Sequence, residues 1–324
     1  MDFGLAVSEK RLLYNSLLEG MNGNYDLEYL RNVVNSLPPV HKYQLLLMFL
    51  SHPSEDISLK CLPVFLDERT KYIELINFIE DEEMIKTIME IIPQYGPNIE
   101  TIDFTSLDIS SENKENFKCF LKKTPRLKSL RVGCSPNNCA IYQLLLDEEF
   151  NLHEQEVKNG LFKIEYIDGV SLSDAECAKL IKLLPNLKSL GMEPSLGPII
   201  NSYSDDVDLV QKLSNITEFG DLNCSLTTLD NIVKLCPNVT EIFLNKPDKK
   251  VVENLWKFPR LMKIHLNSVD PEFVEELYNL LRINGRRIKC LFIGFPDEND
   301  ELDTNLLHEL CPKLVKGVIN HEIF

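Results

Sequence analysis

"LCPNVTEIFL", residues 235–244, is said again in outline along the chain: "TPRLKSLRV" (124–132), "LPNLKSLGM" (184–192), "FPRLMKIHL" (258–266) and "CPKLVKGVI" (311–319). Written as P-x-L-x-x-L-x-L, clear copies begin at Pro97, Pro125, Pro185, Pro237, Pro259 and Pro312. Weaker copies begin at Asn159, Ser214 and Arg286, so that successive starts lie 28, 34, 26, 29, 23, 22, 27 and 26 residues apart. All but the last keep apolar residues at the first two L positions; the last has Gly317 at the second. A period of this size marks a supersecondary unit that cannot bury its own leucines and must stack on its neighbours.

Each phrase is followed by a helix-like segment. "DAECAKLIKLL" (174–184) is introduced by Ser173 with Glu176 three residues on, a capping box. "PEFVEELYNLLRI" (271–283) has Asp270 at the N-cap and Pro271 in the first turn, where its missing N–H costs nothing. "DNIVKL" (230–235) is stopped by Cys236-Pro237, because proline disfavours helical geometry in the residue before it. The unit therefore reads strand, loop, helix, proline stop. Its L positions point inward and the residues between them alternate onto the opposite face of a parallel sheet.

In spacing and in residues such as Cys224 and Cys236-Pro237 of "DLNCSLTTLDNIVKLCPNVTEIFL", residues 91–324 resemble the leucine-rich-repeat proteins. The likeness is to their irregular, cysteine-containing type, often found after an F-box and akin to ribonuclease inhibitor. It implies a right-handed α/β solenoid, a horseshoe, with a helical N-terminal cap. Residues 147–160, "DEEFNLHEQEVKNG", read as an acidic insertion. The chain ends on a strand-like "LVKGVINHEIF", an edge that a partner, a dimer mate, a further segment or the tail itself would have to cover.

Residues 1–90 lack the phrase and read as helices with apolar residues three and four apart: "AVSEKRLLYNSLLEGM", "DLEYLRNVVNSL" and "HKYQLLLMFLS". Two readings stay open. One is a plain cap that seals the first repeat. The other is a degenerate F-box over 37–77, which Leu37, Pro38, Leu45, Leu46, Glu55, Asp56 and Ile57 approximate in order. The spacing from Leu37-Pro38 to the leucine pair is about one turn longer than that resemblance asks, and its downstream Trp is missing. On the second reading Leu37, Pro38, Leu45, Leu46 and Ile57 would dock a cullin adaptor, making the chain a substrate receptor of a cullin–RING ubiquitin ligase. The rival is a repeat scaffold or inhibitor with no ligase link.

The bulk numbers fit a folded interaction protein. The chain has 324 residues, 44% apolar and 26% charged, with a formal charge of −16. That balance argues against a nucleic-acid partner, which needs a basic face. No apolar run approaches the ~20 residues that span a bilayer. Nine cysteines, an odd number in a large chain, suit reduced thiols in the cytoplasm or nucleus better than a disulfide framework. No nucleotide-binding, nucleophile-elbow or zincin motif appears, so neither catalysis nor a cofactor is expected. Cys134 and Cys139 with His153 lack the further pair that zinc requires. The "DENDELD" run at 297–303 lacks the glycine and closing Glu of a calcium loop.

Recognition is left to the outward column between the second and third L positions: Asp103, Arg131, Glu165, Gly191, Gly220, Phe243, His265, Phe292 and Val318. Adjacent aromatics on an exposed sheet are informative where single ones are not. Phe243, His265 and Phe292 are expected to anchor a protein or peptide, with Glu241, Asn245 and Lys263 at the rim. The other possibility is that these rings are covered, or that the weak Arg286 repeat is out of register by one.

Overall fold

The computed structural model describes residues 7–23, 26–50, 55–75, 82–133, 144, 155–168, 173–191, 196–222, 224–297, 302–320 and 322–323. Two compact units divide the chain, Met1–Ile164 and Glu165–Phe324.

In the first unit the expected amphipathic stretches form α1 (Val7–Asn22), α2 (Leu27–Asn35) and α3 (Pro39–Leu50), followed by α4 (Glu55–Phe65). Asp26 caps α2 by accepting the Glu28 N–H at 3.1 Å, freeing the first turn of an orphan donor. The helix α4 packs on α2, α3 and α5 (Glu82–Tyr95), and Phe49, Phe65, Leu45 and Leu62 fill the space between. Residue 90 lies inside α5.

One strand interrupts the region read as purely helical. β1 (Tyr72–Glu74) pairs in parallel with β2 (Thr101–Asp108), Ile73 opposite Ile102. The segment "KYIEL" carries the reason: Ile73 and Leu75 are buried while Tyr72 and Glu74 turn outward, a period of two too short to stand out without the proline phrase. α6 (Lys114–Lys123) returns the chain to β3 (Ser129–Gly133), which pairs with β2 in register, Ile102 opposite Leu130. α7 (Gln155–Leu161) occupies the second half of the expected insertion and packs on α6; residues 145–154 lie outside the described residues.

The second unit starts along β4 (Ile164–Asp168), then α8 (Asp174–Leu183), α9 (Leu196–Tyr203) and α10 (Val207–Leu213). The capping box forms as read, with Glu176 Oε2 accepting the Ser173 N–H at 2.9 Å. A full strand was expected after Pro185, but only Ser189 bridges, to Tyr166. Gly191 takes φ 71°, a left-handed conformation that turns the chain out of the strand and out of the expected column.

From there the repeat is regular: β5 (Glu218–Asp221), α11 (Leu226–Leu235), β6 (Glu241–Asn245), α12 (Lys249–Asn254), β7 (Lys263–Asn267), α13 (Val274–Asn284), β8 (Cys290–Ile293), α14 (Thr304–Leu310) and β9 (Lys316–Ile319). β5 to β9 form one parallel sheet in chain order. The turns before the strands are bonded as well. Thr240 N donates to Thr217 O at 2.8 Å, Met262 N to Thr240 O at 2.8 Å, Lys289 N to Met262 O at 2.7 Å, and Val315 N to Lys289 O at 2.7 Å. Each bond joins equivalent positions of successive phrases, so the sequence period is also a hydrogen-bond period. β10 (Glu322–Ile323) pairs antiparallel with β9, Glu322 opposite Ile319 and Ile323 opposite Val318, and Asn320 takes φ 45°.

Candidate functional site

On one face of the second unit's sheet the outward residues fall into three columns. The central one runs Gly220, Phe243, His265, Phe292 and Val318, each directly opposite the next. The Arg286 phrase is therefore in register. Its residues from Phe243 to Val318 are half-buried, as a partly uncovered face requires. The Phe243 and His265 rings stack at 5.4 Å and 16°, and His265 and Phe292 at 4.2 Å and 9°. Lys316 on β9 places its Nζ 5.1 Å from the centroid of Phe292, a cation–π contact.

The flanking columns hold the expected rim. In the first, Glu241 accepts from Lys263 Nζ at 2.7 Å through Oε2, and its Oε1 lies 3.3 Å from His265 Nε2. In the third, Asn267 donates to Asn245 Oδ1 at 3.1 Å, while Gly294 and Asn320 continue the line. A cavity of about 340 Å³ opens beside the central column, walled by Phe292, Phe295, Pro296, Val318 and the amides of Asn267 and Asn320. Phe295 and Pro296 were missed from the sequence because they follow β8 in a loop outside the phrase. The first unit's Asp103 and Arg131 do stand opposite one another, but they form an ion pair at 3.2 Å.

Interaction with the His265 imidazole, assisted by Lys263, holds the Glu241 carboxyl down at about 2 against the cost of its burial. A depressed carboxylate stabilises the fold above its ordinary pKa, and this contribution is lost as pH falls from about 4.5 toward 2. Replacement by Gln should therefore narrow the stability gap between neutral and acid solution. Thermal melts of wild type and Glu241→Gln from pH 7 downward check this; parallel curves would show that the pair contributes nothing.

Of the residues expected to dock an adaptor, Leu37 and Leu46 line one cavity of about 280 Å³ with Tyr43 and Phe65. Leu45 and Leu46 are 1% and 4% exposed and belong to the core of the first unit. The reason is the double apolar stripe of α3, which meets α4 through Phe49 and Leu50 as well. Leu37 is half-buried and Pro38 exposed. Ile57 lies in α4, and its side chain, like those of Glu55 and Asp56, is outside the described residues.

Cys61, Cys177, Cys224, Cys236 and Cys311 are buried and in no disulfide, and burial pushes Cys236 and Cys224 up to about 12. They act as small apolar residues of the core. Cys134, Cys139, His153 and most of 297–303 lie outside the described residues, among which no group of three or more His, Cys, Asp and Glu side chains could hold a metal ion. No helix among the described residues is long and apolar enough to cross a membrane.

No family model matches the chain, and no curated protein matches it. Among solved structures it is similar to a crystal structure of an internalin from Listeria monocytogenes. The two are 12% identical over 84% of this chain and 92% of that one, with a TM-score of 0.27.

Proposed function

We propose that this chain is a leucine-rich-repeat protein of the right-handed solenoid type, with helices α1 to α4 as its N-terminal cap. Its function on this reading is non-catalytic: it holds a protein or peptide partner on the strand face around Phe243, His265 and Phe292, with Glu241, Asn245 and Lys263 at the rim. The observation that carries the reading is the ladder itself, three rings in consecutive strands that remain half-exposed beside a cavity of about 340 Å³. Aromatic side chains grouped on a surface supply large contact area at small entropic cost, which is why they dominate interface energetics.

A ligase role would need the N-terminal helices to offer an adaptor an apolar face. Leu45 and Leu46 are spent on the core instead, so the reading favoured is the scaffold or inhibitor without a ligase link.

The test is capture of binding partners from lysate by the wild-type chain and by Phe243→Ser/Phe292→Ser, with circular dichroism melts of both. The double variant is expected to lose wild-type partners while melting within a few degrees of wild type. Unchanged partners, or a collapse of the fold, would sink the proposal, the latter by showing the rings to be core.

A further inference from the structure

The net charge of −16 hides a strong local reversal. The three turns that lead into β7, β8 and β9 read "KFPRLMK" (257–263), "GRRIKC" (285–290) and "CPKLVKG" (311–317). They contain eight basic residues and no acidic one: Lys257, Arg260, Lys263, Arg286, Arg287, Lys289, Lys313 and Lys316. The matching stretches before β5 and β6, "KLSNITE" (212–218) and "LCPNVTE" (235–241), hold one lysine and two glutamates.

Topology brings these residues together. The three turns are stacked at one end of a parallel sheet and joined by the Lys289-to-Met262 and Val315-to-Lys289 backbone bonds. With strands roughly 4.8 Å apart, they fall within about 10 Å across the sheet. Every one of the eight except Lys257 is exposed. Lys257 and Lys263 are neutralised by Asp230 and Glu241. Arg260 donates to Asn238 and Arg287 to the Pro259 carbonyl, both neutral acceptors. Arg286, Lys289, Lys313 and Lys316 have no carboxylate partner among the described residues. Six cations thus share one edge with no carboxylate paired to them among the described residues, a cost that the fold retains and that a ligand could relieve.

We infer that this edge of the second unit is a docking surface for a short acidic peptide segment of a partner protein. The occupant is set by size and by surroundings. A nucleic acid carries a charge about every 1.7 Å of its axis and would run past the patch. Beyond it, 26 basic residues face 50 acidic ones in the remaining chain, which repels any extended polyanion. A few consecutive Asp or Glu residues match the patch and stop where it stops. The surface goes beyond the reading proposed above, since all of its cations except Lys263 and Lys316 lie on the turns rather than on the ring-bearing face.

The probe is an end-labelled peptide of roughly eight glutamates, followed by fluorescence anisotropy at low salt and again near physiological salt, where screening shortens to about 8 Å. Wild type is expected to bind it, and more weakly as salt rises. The charge-reversed Arg286→Glu/Lys289→Glu/Lys313→Glu, all at exposed turn positions, should bind at least about tenfold more weakly. Phe243→Ser/Phe292→Ser should bind as wild type does, so that failure of the ring-face proposal and failure of this one are separable. The inference is overturned by equal binding to the charge-reversed variant, by no binding to wild type, or by tighter binding of a single-stranded oligonucleotide of matched charge.

Discussion

Replacing Phe258 with alanine is expected to destabilise the protein by about 3–5 kcal/mol, the range for removing a wholly buried aromatic ring. Phe258 is 0% exposed and lies in the phrase "FPRL", between the end of one helical segment and the next strand. Its N–H donates to Leu255 O at 3.2 Å, closing a short 3-10 turn over Leu255–Lys257. Leu255 and Leu261, equally buried, lie three residues to either side, and backbone bonds to Phe258 hold their main chains in place. A cavity is therefore left behind, and its cost adds to the lost transfer energy. Urea unfolding checks this, with Val315→Ala as the comparison. Val315 is 82% exposed and should change stability by no more than about 0.5 kcal/mol. A Phe258→Ala loss of under about 1 kcal/mol would mean that the turn is not packed as described.

Gly285→Ala should be the second severe lesion, by a different route. Gly285 ends α13 in ordinary helical geometry, with φ −56°, so alanine suits its backbone. At such sites the exchange commonly stabilises by about 0.4–1 kcal/mol through the unfolded chain. Here the sign reverses, because an added Cβ would stand 2.3 Å from Leu310 O, 2.4 Å from Leu281 O and 3.0 Å from Cys311 Sγ. Two of the three are backbone or fixed by backbone bonds, and overpacking of this kind costs about 1–3 kcal/mol. Gly285 exists to let the end of α13 nest against the end of α14. Thermal melting separates the cases: a raised Tm would show that the two helix ends can part without cost.

The parts of this fold legible in the sequence are those that repeat. From Ser214 onward the apolar phrase keeps its period even where the proline is missing, at Ser214 and Arg286, and the outward column was read to the residue because a period of two leaves no freedom once the inward leucines are placed. Gly191 shows where that reading breaks. The phrase "LPNLKSLGM" is intact, yet a single left-handed glycine ends the strand. Apolar pattern records burial, and backbone sign is a separate matter. β1 was lost for the opposite reason, since three residues without the phrase give too little pattern to outvote the helices around them. Leu45 and Leu46 looked like a docking pair only through an order of residue types. The order is the same whether a helix turns its leucines to a partner or to α4. The basic edge was spread over 60 residues of sequence and became visible only when the turns were stacked.

The stacking of Phe292 also fixes the sign of what it can meet. One of its faces is covered by His265 at 4.2 Å and the other by the Lys316 ammonium at 5.1 Å. What remains for a visitor is the ring's rim. An aromatic ring is electron-rich over its faces and electron-poor along its C–H rim. A guanidinium, which needs a bare face, finds none there, whereas carbonyl and carboxylate oxygens find a surface polarised in their favour. On the reading proposed above, the quadrupole of one phenylalanine would favour oxygen-bearing groups at the strand face, the same polarity that the lysines and arginines impose at the edge of the sheet.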